Sequence, residues 1–135
     1  MLLKSVMSLC QCLLCGPTDA DILYIGEAWV EGGQWASYPP HKHDDDNMPK
    51  EAETEEIYYY EFKEPQGFGI QKVYTMEGDI DETYTVKTGD FVEIPRGYHP
   101  FHTAPGYDNY YLWIMAGKNR GFFMTTDEDY AYLNK

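Results

Sequence analysis

Short runs of alternating apolar and polar residues fill most of this chain, and glycine, proline and acidic turns separate them. A period of two places successive side chains on opposite faces and is typical of half-buried β-strands. The period of about 3.6 residues that marks an amphipathic helix is nearly absent. The pattern predicts extended segments at residues 21–30, 35–43, 55–62, 68–75, 81–86, 91–94 and 107–115.

The number and spacing of these segments indicate the fold class. Short strands with a turn about every 8 to 12 residues favour an all-β fold, built as a double-sheet jelly roll. The 135 residues of the chain leave room for one domain with a single core. We expect a variable segment at 1–20, the β-domain at 21–117 and an extension at 118–135 that carries no chemistry.

Charge and the amino-terminal segment exclude several partners. The formal net charge of -13 repels phosphate groups, so we expect no nucleic acid and no anionic membrane as a partner. The apolar run near the start of the chain is much shorter than the about 20 residues of a membrane span. Cys10, Cys12 and Cys15 cluster in this segment, but a structural zinc site needs a fourth ligand, and none is adjacent.

A histidine pair supplies the most informative chemical signal. His41 and His43 are separated by one residue, so in an extended strand both side chains point the same way and can reach one cation. His99 supplies a third imidazole after the predicted turn at residues 95–97. His102 is the alternative third ligand if His99 points outward, because the two residues differ in strand parity.

A carboxylate on a predicted inner face completes this candidate site. Strand parity places Glu56 with the aromatic residues Tyr58, Tyr60 and Phe62, and a carboxylate buried there without a partner would be costly. A register shift of one residue would put Glu55 in its place. Three imidazoles and one carboxylate leave open positions on a divalent metal, as a catalytic site requires. Zinc is our first expectation and manganese or iron the alternatives, because nitrogen-rich sites bind all three.

These residues also carry a family resemblance. His41-Lys42-His43, Glu56 and the stretch from Gly89 to His99 resemble the two motifs of the cupin superfamily. The separation between His43 and Glu56 is longer than the usual cupin spacing. That departure is shared by the 5-deoxy-glucuronate isomerase family of myo-inositol catabolism, which this chain resembles more closely. The matching stretches include residues 37–44, 55–60, 65–69, 71–75, 81–83, 95–100, 104–108, 110–112 and 115–117.

The resemblance implies a fold and a partner. Members of that family are bicupins, and residues 23–117 resemble their second, metal-bearing half. We therefore expect a single cupin-type double-stranded β-helix. We also expect a homo-oligomer or a separate partner cupin chain, and a cytoplasmic location.

The resemblance also implies an activity. It predicts a metal-dependent aldose-ketose isomerase that converts 5-deoxy-glucuronate into 2-deoxy-5-keto-gluconate, with a non-catalytic or truncated metal-binding or sugar-acid-binding cupin as the alternative. A dioxygenase-type cupin with iron is a third reading. The metal ligands would be His41, His43, Glu56 and His99, and the general base is not identified. Candidate contacts to the sugar acid are Arg96, Lys42, Gln71, Tyr58 and Tyr60.

Overall fold

Eleven β-strands and one short 3-10 helix make up the regular structure of the residues that the computed structural model describes, which are 9–13, 20–119 and 121–134. The strands are β1 (Leu9–Cys12), β2 (Leu23–Val30), β3 (Trp35–Ala36), β4 (His41–Lys42), β5 (Glu55–Phe62), β6 (Gly69–Tyr74), β7 (Asp81–Val86), β8 (Phe91–Ile94), β9 (Phe101–Thr103), β10 (Asn109–Ala116) and β11 (Thr125–Thr126). The 3-10 helix spans Glu128–Asn134.

Two main antiparallel sheets form the fold. The five-stranded sheet has the order β1-β2-β10-β5-β8, and the four-stranded sheet has the order β3-β9-β6-β7. A separate two-stranded pair joins β11 to β4. All-β architecture confirms the fold class that the alternating pattern predicts.

The core lies between the two main sheets and contains many aromatic side chains. Along β5 the even-numbered residues are buried and their neighbours are mostly exposed, which confirms the predicted parity of Glu56. The paired strand β10 alternates in the same way. Burying large aromatic and β-branched side chains on facing sheets is the main stabilising contribution in such a fold.

Two local departures from the predicted strands have simple causes. The extended segment at residues 35–43 forms two short strands instead of one, because Pro39 and Pro40 between them have no backbone N–H to donate. The short strand β9 was not predicted, since three residues are too few to show a clear alternation.

The turn that leads to His99 depends on a glycine. Gly97 has a φ of 98°, and a Cβ atom there would lie 2.7 Å from the carbonyl oxygen of Tyr74. Only glycine accepts both conditions without strain. The turn is fixed further by a hydrogen bond of 2.8 Å that the Gly97 N–H donates to Asp44 Oδ1. This local geometry sets the direction of the following imidazole.

The amino-terminal cysteines do not form a metal site among the residues that the structure describes. Cys10 carries a free thiol, Cys12 is disulfide-bonded, and Cys15 lies outside the described residues. Within the described part of the chain, no helix has the length and hydropathy to cross a membrane.

Candidate metal centre

Three of the four predicted ligands meet at one point inside the fold. His43 follows β4, Glu56 lies on β5, and His99 follows the turn at Gly97. Their ligand atoms all lie within 4.8 Å of one another. The Nε2 atoms of His43 and His99 are each 3.2 Å from Glu56 Oε2. All three side chains are buried, so this group could hold a metal ion.

Backbone carbonyl groups orient both imidazoles. His43 Nδ1 lies 2.8 Å from the carbonyl oxygen of Thr54, and His99 Nδ1 lies 2.8 Å from that of Gly97. A carbonyl oxygen only accepts, so each Nδ1 carries a proton, and Nε2 is the atom left to bind a cation. Histidine ligands of metals are held in this way in proteins.

The fit to a cation is supported by an atom without a partner. His99 Nε2 is buried and has no hydrogen bond, although Glu56 Oε2 is close to it. A buried polar atom without a partner is costly and rare in native proteins. A divalent cation between the two Nε2 atoms and the carboxylate would satisfy all three groups, so the residues fit a metal.

The protonation of the groups is compatible with that role. Burial alone raises the pKa of Glu56, but the imidazoles of His43 and His99 beside the carboxylate bring it down to about 2. Burial also lowers the pKa of His43, and the Glu56 carboxylate outweighs this and raises it. The centre therefore contains an ionised carboxylate with two imidazoles turned toward it.

His41 lies beside this group without joining it. Its ring centroid is 4.9 Å from that of His99 and 6.5 Å from that of His43. Burial, followed by the electrostatic effect of the neighbouring His99, lowers the pKa of His41 to about 3, so the ring is neutral. His41 lines the same cavity, but the structure places only the other three predicted ligands in direct proximity.

The two alternative ligands lie elsewhere. Glu55 is exposed on the opposite face of β5. His102, on β9, packs edge-on against Trp35 with ring centroids 4.8 Å apart.

A cavity of about 220 Å³ opens beside the three clustered residues. One part of its wall is polar and includes Ser37, Tyr58 and Tyr111, and another part is apolar and includes Trp113 and Met115. The remaining lining residues are Cys10, His41, His43, Glu56, Phe122 and Met124. The cavity therefore combines candidate metal ligands, hydroxyl groups and an apolar surface.

Among the predicted substrate contacts, Tyr58 lines this cavity but Tyr60 and Gln71 do not. Tyr60 donates a hydrogen bond of 2.6 Å to Gln71 Oε1. Gln71 Nε2 donates to the carbonyl oxygen of His99 at 2.9 Å. Both side chains are fully buried and support the backbone of His99 through this pair of hydrogen bonds. Their contact with a substrate stays a prediction.

Lys42 and Arg96 also lie away from the metal centre, and their contact with the substrate carboxylate stays a prediction. Lys42 Nζ binds Asp45 Oδ2 and Glu51 Oε1, each at 2.8 Å. Arg96 forms a hydrogen-bonded ion pair with Asp79. Both basic side chains line a separate, acidic surface pocket. Lys42 points there because it has the opposite strand parity to His41 and His43.

Several lining residues were not predicted as site residues. Tyr111 and Met115 share the inner face of β10, and the same parity argument that identified Glu56 would have found them. Phe122 and Met124 lie in the carboxyl-terminal extension, which pairs with β4 through β11. No periodic pattern in the sequence signals that contribution.

Comparison with known proteins identifies the family. The family model described as KduI/IolB family matches residues 9–133. The chain belongs to this family. It is 47% identical over 114 residues to a 5-deoxy-glucuronate isomerase of Geobacillus kaustophilus, and this match covers 84% of the chain and 41% of the relative. A 5-deoxy-glucuronate isomerase of Bacillus licheniformis is also 47% identical, over 85% of the chain and 42% of the relative.

Solved structures agree with this assignment. The chain is similar to an IolB-like protein of Salmonella typhimurium LT2 with a TM-score of 0.84 and 44% identity, covering 86% of the chain and 44% of that protein. A Klebsiella pneumoniae protein with a double-stranded β-helix domain has a TM-score of 0.63 at 12% identity, and it shares the fold alone. The predicted family and cupin-type fold are confirmed. The chain spans about two fifths of the length of the curated relatives it matches.

Proposed function

We propose that this protein is a metal-dependent sugar-acid isomerase that acts on 5-deoxy-glucuronate. The observation that carries the proposal is the buried group of His43, Glu56 and His99 beside a small polar and apolar cavity. Relatives at 47% identity are named 5-deoxy-glucuronate isomerase, which supports the substrate class.

His43, Glu56 and His99 would hold the metal, with His41 as the fourth candidate ligand. A neutral ring beside the group supports the inclusion of His41. We propose zinc first, with manganese or iron as alternatives. A divalent cation supplies electrophilic stabilisation of negative charge that develops on carbonyl and hydroxyl oxygens.

The cavity residues would bind the substrate and exclude water. The cavity of about 220 Å³ is smaller than the roughly 300 to 1,000 Å³ that drug-sized ligands occupy, so a six-carbon acid is a suitable occupant. The apolar wall, which includes Trp113, Met115 and Met124, suits the carbon that lacks a hydroxyl group in a deoxy sugar. A hydroxyl buried against this wall would lose its hydrogen bonds to water.

The lining of the cavity bears on the partners. Because no lysine or arginine lines it in the described part of the chain, we propose that the active form is a homo-oligomer or includes a partner cupin chain. Such a chain is also the proposed source of a basic group for the substrate carboxylate, since Lys42 and Arg96 line a different pocket.

Deuterium exchange tests the reaction directly. Aldose-ketose isomerisation moves a hydrogen between adjacent carbons, so zinc-loaded protein incubated with 5-deoxy-glucuronate in heavy water should place deuterium on carbon in the product. Glu56→Gln should abolish this incorporation. Glu55→Gln is the matched control, because it makes the same change on the exposed face of β5.

Two results would reject the isomerase. Binding of the sugar acid without turnover would favour the non-catalytic binding cupin instead. Oxygen uptake by iron-loaded protein in the presence of the sugar acid would favour an oxygenase.

A further inference from the structure

Ser37 adopts a backbone conformation that serine seldom takes. Its φ of 50° is the only positive value at a non-glycine residue in the described part of the chain. Left-handed backbone is strained for a residue with a Cβ atom. Such conformations persist where surrounding structure holds them and occur often at functional sites. Ser37 lies on the wall of the cavity beside the candidate metal centre.

This conformation brings the Ser37 hydroxyl to two buried phenols. Ser37 Oγ and Tyr58 Oη are 2.7 Å apart, and Ser37 also interacts with the Tyr111 side chain. The rings of the two tyrosines pack with centroids 4.8 Å apart, and both side chains are at least nine-tenths buried. The three residues, named here the hydroxyl cluster, come from the segment after β3 and from the paired strands β5 and β10.

The hydroxyl cluster has more protons to donate than hydrogen bonds among its own members. Its three hydroxyl groups carry three protons. The bond between Ser37 and Tyr58 uses one, and the interaction with Tyr111 uses at most one more. No other hydrogen bond of these hydroxyls occurs among the described residues, so at least one O–H has no acceptor there and is available to a ligand in the cavity.

The wall of the cavity offers few other donors. No lysine or arginine lines the cavity in the described part of the chain, and besides the imidazoles the other donors on its wall are the Trp113 indole N–H and the Cys10 thiol.

The cluster also lies at a suitable separation from the metal centre. Tyr58 follows Glu56 by two residues on the same face of β5, which is about 7 Å along a strand. A ligand held at Glu56 by one end would place its other end near the hydroxyls.

Building on the proposed function, we propose that Ser37, Tyr58 and Tyr111 form a donor site for an oxygen of the sugar acid remote from the metal-bound end. Ser37 acts as a positioning residue, since its left-handed backbone fixes the hydroxyl that links the two phenols.

Variants that remove single hydroxyls test this site. Tyr111→Phe keeps the ring and loses the O–H. Ser37→Gly loses the hydroxyl and accepts a positive φ without strain. Loss of one hydrogen bond should raise the Kd of zinc-loaded protein for 5-deoxy-glucuronate about 3- to 10-fold, measured by titration calorimetry. The KM should rise by the same factor with kcat nearly unchanged, because this contact forms before the reaction.

Two further variants separate donor function from structure. Ser37→Asn should recover part of the affinity, because asparagine tolerates a positive φ and its amide donates. Tyr59→Phe is the control, because it removes a phenol hydroxyl from the outer face of β5, the strand that carries Tyr58. It should leave Kd and KM unchanged. Zinc affinity should be the same in all four variants.

The outcomes distinguish this inference from the isomerase proposal. Wild-type Kd and KM in Ser37→Gly and Tyr111→Phe would overturn the donor site, even if the wild type is an active isomerase. Binding by the wild type without deuterium incorporation, weakened in both variants, would support the donor site and reject the isomerase. Absence of any binding by zinc-loaded wild type would overturn both.

Discussion

Gln71→Leu should weaken the metal centre although Gln71 is not a ligand. The fully buried amide links Tyr60 to the backbone of His99 through hydrogen bonds of 2.6 and 2.9 Å. Leucine has a similar volume and forms neither bond. His99 carries the Nε2 atom that points at Glu56, so loss of this support should loosen one side of the candidate metal site.

The size of the effect follows from the groups left unpaired. The substitution leaves the buried Tyr60 hydroxyl and the buried His99 carbonyl without these hydrogen-bond partners. Each unpaired group costs about 1 to 3 kcal/mol of stability. The Pro100 carbonyl, which also accepts from Gln71, keeps its bond from the Lys72 N–H. We expect a loss of about 2 to 6 kcal/mol in the free energy of unfolding, from a total of about 5 to 15 kcal/mol. Loss of a residue that supports a metal ligand should lower zinc affinity about 10- to 100-fold.

Two assays measure these quantities. Urea unfolding in the presence of a chelator gives the stability of the metal-free protein, and competition with a fluorescent chelator gives the zinc affinity. Tyr60→Phe is a variant with a smaller expected effect, because it leaves only Gln71 Oε1 without its hydrogen-bond donor. It should lower the free energy of unfolding by about 1 to 3 kcal/mol. The double variant should cost less than the sum of the two single variants, since they remove one shared bond.

A different result would contradict the assigned role of Gln71. If Gln71→Leu keeps wild-type zinc affinity and instead raises the KM for the sugar acid, Gln71 contacts the substrate directly. Additive effects of Gln71→Leu and Tyr60→Phe would show that the two side chains do not act as a pair.

Three further predictions concern the surroundings of the site. Glu51 accepts hydrogen bonds from Lys42 Nζ and from the N–H groups of Asp44 and Asp45. Burial raises the pKa of Glu51, but these partners outweigh it and lower the pKa. Glu51→Gln should therefore be less stable than the wild type at pH 7, and the difference should shrink as the pH falls through the lowered pKa. A constant difference in urea unfolding between pH 7 and pH 3 would contradict this. Arg96→Ala should leave the KM for the sugar acid unchanged, and a several-fold increase in steady-state assays would restore Arg96 as a substrate contact. Removal of the metal by a chelator should lower the melting temperature, because a ligand at 100 times its Kd contributes about 2.7 kcal/mol, and an unchanged melting curve would indicate that no tightly bound metal stabilises the fold.

The alternating pattern predicts the part of the site that lies on long strands. Parity alone places Glu56 and Tyr58 on the inner face of β5, since eight residues of alternation leave one register that buries the aromatic rings. The residues His43 and His99 could be named because the histidine pair, a later histidine after a turn and an inward carboxylate occur together in the sequence, whereas a His-x-His pair alone is more often a surface or core feature.

The rest of the cavity depends on contacts between distant segments. Cys10 lies on the edge strand β1, and Phe122 and Met124 lie in the carboxyl-terminal extension, yet all three line the same cavity. Ser37 reaches the cavity through a positive φ, and no local sequence pattern predicts that conformation. The charge of Lys42 and Arg96 suits binding of a substrate carboxylate, but in the fold each of them is paired with an acidic neighbour.

Metal stoichiometry in single-residue variants tests the central claim most directly. The wild type, purified with zinc and dialysed, should hold one metal ion per chain in elemental analysis. His43→Ala, His99→Ala and Glu56→Gln should each lose it, whereas the matched control His102→Ala should keep it, because His102 packs against Trp35 outside the group. Full stoichiometric metal in His43→Ala or His99→Ala would contradict the assignment of this centre.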